Sequence, residues 1–92
     1  MSVYCHPLMA CIPNGRFKWR ESTHMVADSL DELHSFAMSI GLKRAWFQDG
    51  RLKHYDLNPG RFDAAVKAGI VVIPTRDFAL RFIMPTRLDG AK

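Results

Sequence analysis

Cysteine is scarce in this chain, and the usual spacings of ligands and nucleophiles are missing. Only Cys5 and Cys11 occur, and no CxxC or HExxH pattern surrounds them or any histidine. The GxxxxGK[ST] phosphate loop, the GxGxxG turn and the GxSxG elbow are also absent. Function therefore cannot be assigned from a nucleotide-loop, dinucleotide or serine-hydrolase signature. No apolar run approaches the ~18 residues a membrane helix needs. The first residues lack the basic and apolar regions of a secretory signal. A cytoplasmic protein with reduced thiols is the resulting expectation. No run of five like charges exists, so there is no basic or acidic tail.

What is present is an ordinary globular composition. Of 92 residues, 48% are hydrophobic and 24% charged, which argues against disorder and fits one domain spanning 1–92. A chain this short buries roughly 60–65% of its unfolded surface, so modest stability is expected without help. Homodimerisation is one source of help, and Phe78 to Met84, with Arg81 its only charge, is the candidate apolar surface. Thirteen Lys and Arg against nine Asp and Glu give a net charge of +4. That balance permits an anionic partner such as nucleic acid without requiring one.

Along the chain, residues 2–6 read as a short strand and residues 7–15 as a loop with an Asn14-Gly15 turn. Arg16, Lys18 and Arg20 alternate with Phe17 and Trp19, the pattern of a strand with cations on one face and aromatics packed inward. A nucleic-acid platform would want both on the same face. A second strand is expected over residues 24–27. Ser29 and Glu32 form a capping box, Leu30, Leu33, Phe36, Ala37 and Ile40 make one apolar stripe, and Gly41 suits a left-handed stop. That predicts a helix over about 30–40. Asp49-Gly50 signals a hairpin turn between 45–47 and 52–55. Asn58 and Pro59 then open a second helix with Phe62, Ala65 and Val66 buried, ended by Gly69. Residues 70–74 read as a buried strand. Residues 76–84 read as a helix, with a strand as the alternative, and the tail from 85 as loose. The order predicts an α+β fold, with α/β as the alternative: a small mixed β-sheet carrying two or three helices.

"KHYDLNPGRF", residues 53–62, holds the most suggestive side chains. In an extended segment His54 and Asp56 share one face and Tyr55 takes the other. Such a pair can ligate a divalent metal, or act as a base with an orienting carboxylate. His24 and Asp28 form a second pair on one strand face, and His34 lies near the start of the first helix. Together these three histidines and two aspartates could converge where strands enter helices. Each also has a structural role open to it: Asp28 as a helix-end charge, His34 as a border residue, Asp56 as an acceptor for turn amides. His24, His54 and Asp56 are the candidate metal ligands and the candidate catalytic set. Cys5 and His6 are adjacent and could join them, although free cysteine usually packs as a small hydrophobe. Arg61, in the first turn of the second helix, could hold an anion with the free amides there. Arg44, Arg61 and Trp46 are the candidate anion or partner surface.

"HMVADSLDELHSFAMSIGLKRAWFQ" followed by "HYDL" resembles a small bacterial and bacteriophage family, domain of unknown function 4031. The resemblance covers about Thr23 to Val72. It falls on His24, Asp28, Glu32, His34, Trp46, Phe47, His54, Tyr55, Asp56 and Arg61. It implies a site at His24, His54 and Asp56, a phage or prophage origin and a place in the bacterial host cytoplasm, but no activity. Relatives tend to carry acidic residues after the first strand, where this chain has Cys5 and His6. Should those acids belong to a site, it is altered here.

Three readings compete. The first is a metal- or anion-binding enzyme acting on a phosphoester or nucleic-acid substrate, with His24, His54 and Asp56 within about 5 Å of one another. The second is a non-enzymatic protein that occupies a host protein or nucleic acid through Trp19, Trp46, Arg16 and Arg44, the residue types that dominate interfaces. The third is sequence-neutral binding of DNA or RNA, with steep salt dependence. Since no complete catalytic constellation can be assembled from the residues alone, the second is preferred at this point.

Overall fold

The computed structural model describes residues 2–13 and 18–84. Its centre is a mixed sheet in the order β4-β5-β3-β1-β6, with β2 pairing the first part of β3. The strands are β1 (Val3–Cys5), β2 (Met9–Ala10), β3 (Glu21–Ala27), β4 (Gln48–Asp49), β5 (Lys53–Leu57) and β6 (Val71–Val72). β3 runs antiparallel to β1, β2 and β5, while β6 runs parallel to β1. Three helices, α1 (Leu30–Ser39), α2 (Pro59–Lys67) and α3 (Thr75–Phe78), complete the α+β fold, and α3 continues as a π-helical turn, Ala79–Ile83.

Period-two alternation divides the sheet into two faces. Cys5, Met25, Tyr55 and Leu57 point one way and join Leu33, Ala37 and Ile40 of α1 and Ala65 of α2 in the main core. Tyr4 and Val26 point the other way, against Phe78 of α3. Helices therefore cover both faces. His6, His24, His54 and Asp56 share the parity of Tyr4 and Val26, so the alternation alone puts them on the α3 side.

Both long helices stop in the same manner. Gly41 and Gly69 adopt φ of 86° and 97°, which costs an L-residue strain that glycine escapes. The following amides, of Leu42 and Ile70, return to Ala37 O and Ala65 O at 2.9 and 3.0 Å, and both side chains are buried. This is the Schellman closure, in which an apolar residue seals the helix end. Arg61 adds a tie between helices: its Nη1 donates to Ile40 O at 3.1 Å, beside Gly41. At the other end of α2, Asn58 Oδ1 accepts from the Arg61 amide at 2.8 Å. Asn58→Ala is expected to lower stability by about 1 kcal/mol, read as a lower urea midpoint at unchanged slope, with Asn58→Asp close to wild type. A midpoint unmoved by Asn58→Ala would show the cap to be idle.

Several expectations are corrected. Residues 45–47 form a 3-10 turn, Arg44–Trp46, running into Phe47, rather than a strand. The hairpin pairs Asp49 with Lys53, so its loop is residues 50–52 and Asp49-Gly50 is not a two-residue turn. The 70–74 segment is an edge strand of two residues with Val71 and Val72 both 40% exposed, because among the described residues only β1 flanks it. Val66 is also exposed, and Ala65 with Phe62 forms the inner face of α2 instead. Leu30 is exposed at the outer end of the α1 stripe. Residues 7–13, expected as loop, contain β2, and β3 begins at Glu21 rather than His24. Lys18, Trp19 and Arg20 are not in a strand, and Trp19 is half exposed instead of packed inward. The Asn14-Gly15 turn, Arg16, Phe17 and the tail 85–92 lie outside the described residues. Residues 75–84 are helical, and Phe78, Phe82 and Ile83 spend their apolar surface on the sheet, leaving Leu80 and Met84 exposed.

Candidate metal centre

The site is built across three strands. β5 supplies His54 and Asp56, β3 supplies His24 directly opposite Asp56, and the end of β1 supplies His6. His24, His54 and Asp56 each present one possible ligand atom, and these atoms all lie within 4.8 Å of one another. Cross-strand neighbours in a sheet have Cβ atoms roughly 5 Å apart, so strand pairing alone delivers this convergence. It meets the separation of about 5 Å required by the metal-binding reading.

His6 continues the β1 register, in which Tyr4 pairs with Val26 and Cys5 with Met25, and so falls opposite His24. Cys5 pairs with Met25 and Met9 with Ser22, so residues 6–8 face residues 23–24, three against two. One extra residue interrupts the ladder, and Pro7, which has no amide hydrogen to contribute, sits within it. Thr23 repairs the backbone: its Oγ1 accepts from the His6 amide at 3.1 Å and donates to His6 O at 2.6 Å. Opposite one another across the two strands, His6 Nε2 and His24 Nδ1 stand 2.8 Å apart. The His6 amide and carbonyl are thereby satisfied without a ladder partner.

Every ring has a fixed orientation. His54 Nδ1 donates to Leu52 O at 2.6 Å, which leaves Nε2 3.3 Å from Asp56 Oδ1. His6 Nδ1 donates to Pro7 O at 2.7 Å. Phe78 packs edge-on against the His6 ring at 4.9 Å, and the His24 and His54 rings meet at 5.0 Å. His6 is 2% exposed, whereas the His54 and Asp56 side chains keep 17% and 35% of their surface in solvent. The row is therefore buried at one end and open at the other.

The electrostatics divide the histidines. Burial lowers the His24 pKa, and the neighbouring His54 charge adds to that. Burial alone would lower His54 as well. The hydrogen bonds to Asp56 and Leu52 together outweigh it and raise His54 above the ordinary value. Asp56 is lowered, chiefly by the His54 hydrogen bond. At neutral pH an ionised carboxylate thus stands beside one neutral imidazole and one that readily holds a proton. That separation is characteristic of functional sites, although structural ion pairs also produce it.

The remaining candidates lie elsewhere. Asp28 accepts from the Ser2 amide at 2.9 Å and the Tyr4 hydroxyl at 3.1 Å, joining neither the metal row nor a helix cap. Asp56 pairs with His54, so Asn58 and not Asp56 serves the turn before α2. His34 Nδ1 bonds the Tyr55 hydroxyl at 2.9 Å on the α1 side, with Phe47 against its ring. The convergence of three histidines and two aspartates is therefore replaced by His6, His24, His54 and Asp56. Cys5 faces the main core with its thiol pushed up to about 11 by burial, so it takes no part. Cys11 is a free thiol whose Sγ contacts Trp19 O. Arg61 caps α1, and Arg44 lies over the Phe47 ring at 5.0 Å. Trp46 is 45% exposed with Lys43 above its ring at 5.6 Å. Thr23 and Phe78 carry no sequence signal for the site, since their roles arise from partners far along the chain. An open depression lined by Ser2, Val3, Glu32, Ser35, Phe36 and Gly69 contains none of the histidines.

No helix among the described residues is long and apolar enough to cross a membrane. A family model described as Protein of unknown function (DUF4031) matches residues 9–84. That stretch includes His24, His54 and Asp56 and begins after His6. No curated protein and no solved structure matches the chain.

Proposed function

The chain belongs to the DUF4031 family of proteins of unknown function, and from the histidine and aspartate row on its sheet we propose that it is a small divalent-metal-binding domain. His24, His54 and Asp56 are its ligands. The observation that carries this reading is their 4.8 Å convergence, with His24 Nδ1 bonded to His6, His54 Nδ1 to Leu52 O, and His54 Nε2 turned toward Asp56. Metal-binding histidines characteristically spend their other nitrogen on such a partner.

Two imidazoles and one carboxylate suit zinc or iron(II), and three protein ligands leave a coordination position open. When bound, such a cation supplies Lewis acidity and a water acidified to near neutral pH, the chemistry of hydrolysis. The partly exposed Asp56 side of the row gives access to a ligand from solvent. A net charge of +4 draws anions, so a phosphoester or nucleic-acid substrate is the class this reading favours.

Equilibrium dialysis against zinc, with metal content measured by plasma emission, tests the proposal. Wild-type protein is expected to retain one equivalent after dialysis, and Asp56→Ala or His24→Ala far less. Equal retention by wild type and both variants would place any bound metal elsewhere. The half-exposed Trp19 and Trp46, the latter beside Lys43 and Arg44, favour a second reading as a protein that docks on a host protein or nucleic acid. Absence of metal uptake by wild-type protein would leave that second reading in place of the first.

A further inference from the structure

We propose that His6 is the positioning residue of this centre: from its buried place at the end of β1 it holds the His24 imidazole in the tautomer that presents Nε2 to the metal. The inference rests on the metal-binding reading above and adds to it a fourth residue outside the ligand set.

The hydrogen-bond chain fixes the protons by elimination. Pro7 O can only accept, so the 2.7 Å contact requires His6 Nδ1 to carry a hydrogen. The His24 backbone amide, 3.2 Å from His6 Nε2, can only donate, so Nε2 is the acceptor there. His24 Nδ1, 2.8 Å from that same Nε2, must then be the donor. A neutral imidazole protonated at Nδ1 has its lone pair at Nε2. Pro7 O, His6 and His24 thus form one chain that ends in a ligand atom. His54 Nδ1 is likewise committed, to Leu52 O.

A purely space-filling role does not account for His6. The ring is 2% exposed and lies against Phe78, where an apolar side chain would pack without needing partners for both ring nitrogens. Its backbone, where the β1 ladder breaks off, is held by the two Thr23 bonds. The arrangement aims one ring nitrogen at His24 and disposes of the other within its own strand. Replacing such a support residue typically weakens metal binding about 10–100-fold without removing a ligand.

The test uses the full chain. In metal-free wild-type protein, long-range ¹⁵N–¹H correlation spectra of the histidine rings should report His24 protonated at Nδ1 and bare at Nε2. Cobalt(II) titrations, followed by the visible ligand-field bands, should show wild-type binding and none to the row in His24→Ala. His6→Phe keeps the ring volume and removes the acceptor, so it should bind cobalt about 10–100-fold more weakly. His6→Gln offers its amide oxygen where Nε2 lies and should restore most of the affinity, which a loss caused by poor packing would not predict. His24 protonated at Nε2 in wild type would overturn the inference, as would wild-type cobalt affinity in a folded His6→Phe. Should His6→Phe not fold, the wild-type tautomer and the His6→Gln titration decide the matter. A wild-type protein that binds no cobalt would instead bring down the metal-binding reading, and this inference with it.

Discussion

Zinc at about a hundred times its dissociation constant is expected to raise the unfolding midpoint of the wild-type chain by roughly 10–20 °C. A ligand that binds only the native state at that ratio adds about 2.7 kcal/mol. A domain of this size gains roughly 4–8 °C per kcal/mol. His54→Ala is expected to abolish the shift, because it removes one of three ligands and the partner of Asp56 at once. Binding should also weaken as the pH falls through the histidine range. Asp56 and Leu52 raise the His54 pKa, so a proton competes with the metal for Nε2 to a higher pH than at an ordinary histidine. Differential scanning fluorimetry with zinc, manganese, nickel, magnesium and EDTA reads all of this. A shift of equal size in His54→Ala would show that zinc acts at some other place.

Phe78→Ala should cost about 3–5 kcal/mol, the usual range for emptying a buried aromatic site. Its ring is fully buried, and it fastens α3 to Tyr4 and Val26 on the far side of the sheet from α1 and α2. A 92-residue chain carries roughly 5–14 kcal/mol of total stability. The loss is therefore between about a fifth and all of it. Phe78 also rests edge-on against His6, so Phe78→Ala should loosen the His6–His24 pair and weaken metal binding, although no ligand is touched. Phe78→Leu, which retains most of the volume, should fall between the two. Urea denaturation measures the first effect and cobalt titration the second. A stability loss below about 1 kcal/mol at unchanged slope would mean that α3 is not fastened through this ring.

The elements with local chemical signatures were legible. Ser29, whose Oγ accepts from the Glu32 amide, starts α1 where the capping box places it, and Gly41 stops it. Asn58 and Pro59 open α2 in the same way. The opposition of Tyr55 to His54 and Asp56 needs only the pleat of a strand, and Tyr55 is fully buried while the other two are not. The misreadings occurred where a local signal competed with a remote partner. Asp49-Gly50 carries a tight-turn signature, yet pairing of Gln48 with His54 and Asp49 with Lys53 widened the loop. The β-branched run at 70–73 suits a central strand, but among the described residues only β1 flanks it, and Val71 and Val72 stay half exposed. Trp19 reads as a core residue by alternation, yet it lies outside any strand and is half exposed.

The sequence by itself determined which side of each strand a residue occupies, because parity is a property of the backbone and needs no partner. It thereby put His54 with Asp56 and set Tyr55 apart. Only the tertiary structure decided which strands stand side by side and in what register. Pairing of β3 with both β1 and β5 sets His24 between His6 and Asp56. Strand register depends on contacts between residues far apart in the chain, and a slip of one residue turns every side chain to the opposite face. That is why His6 could be noticed in the sequence beside Cys5, while its place behind His24 could not.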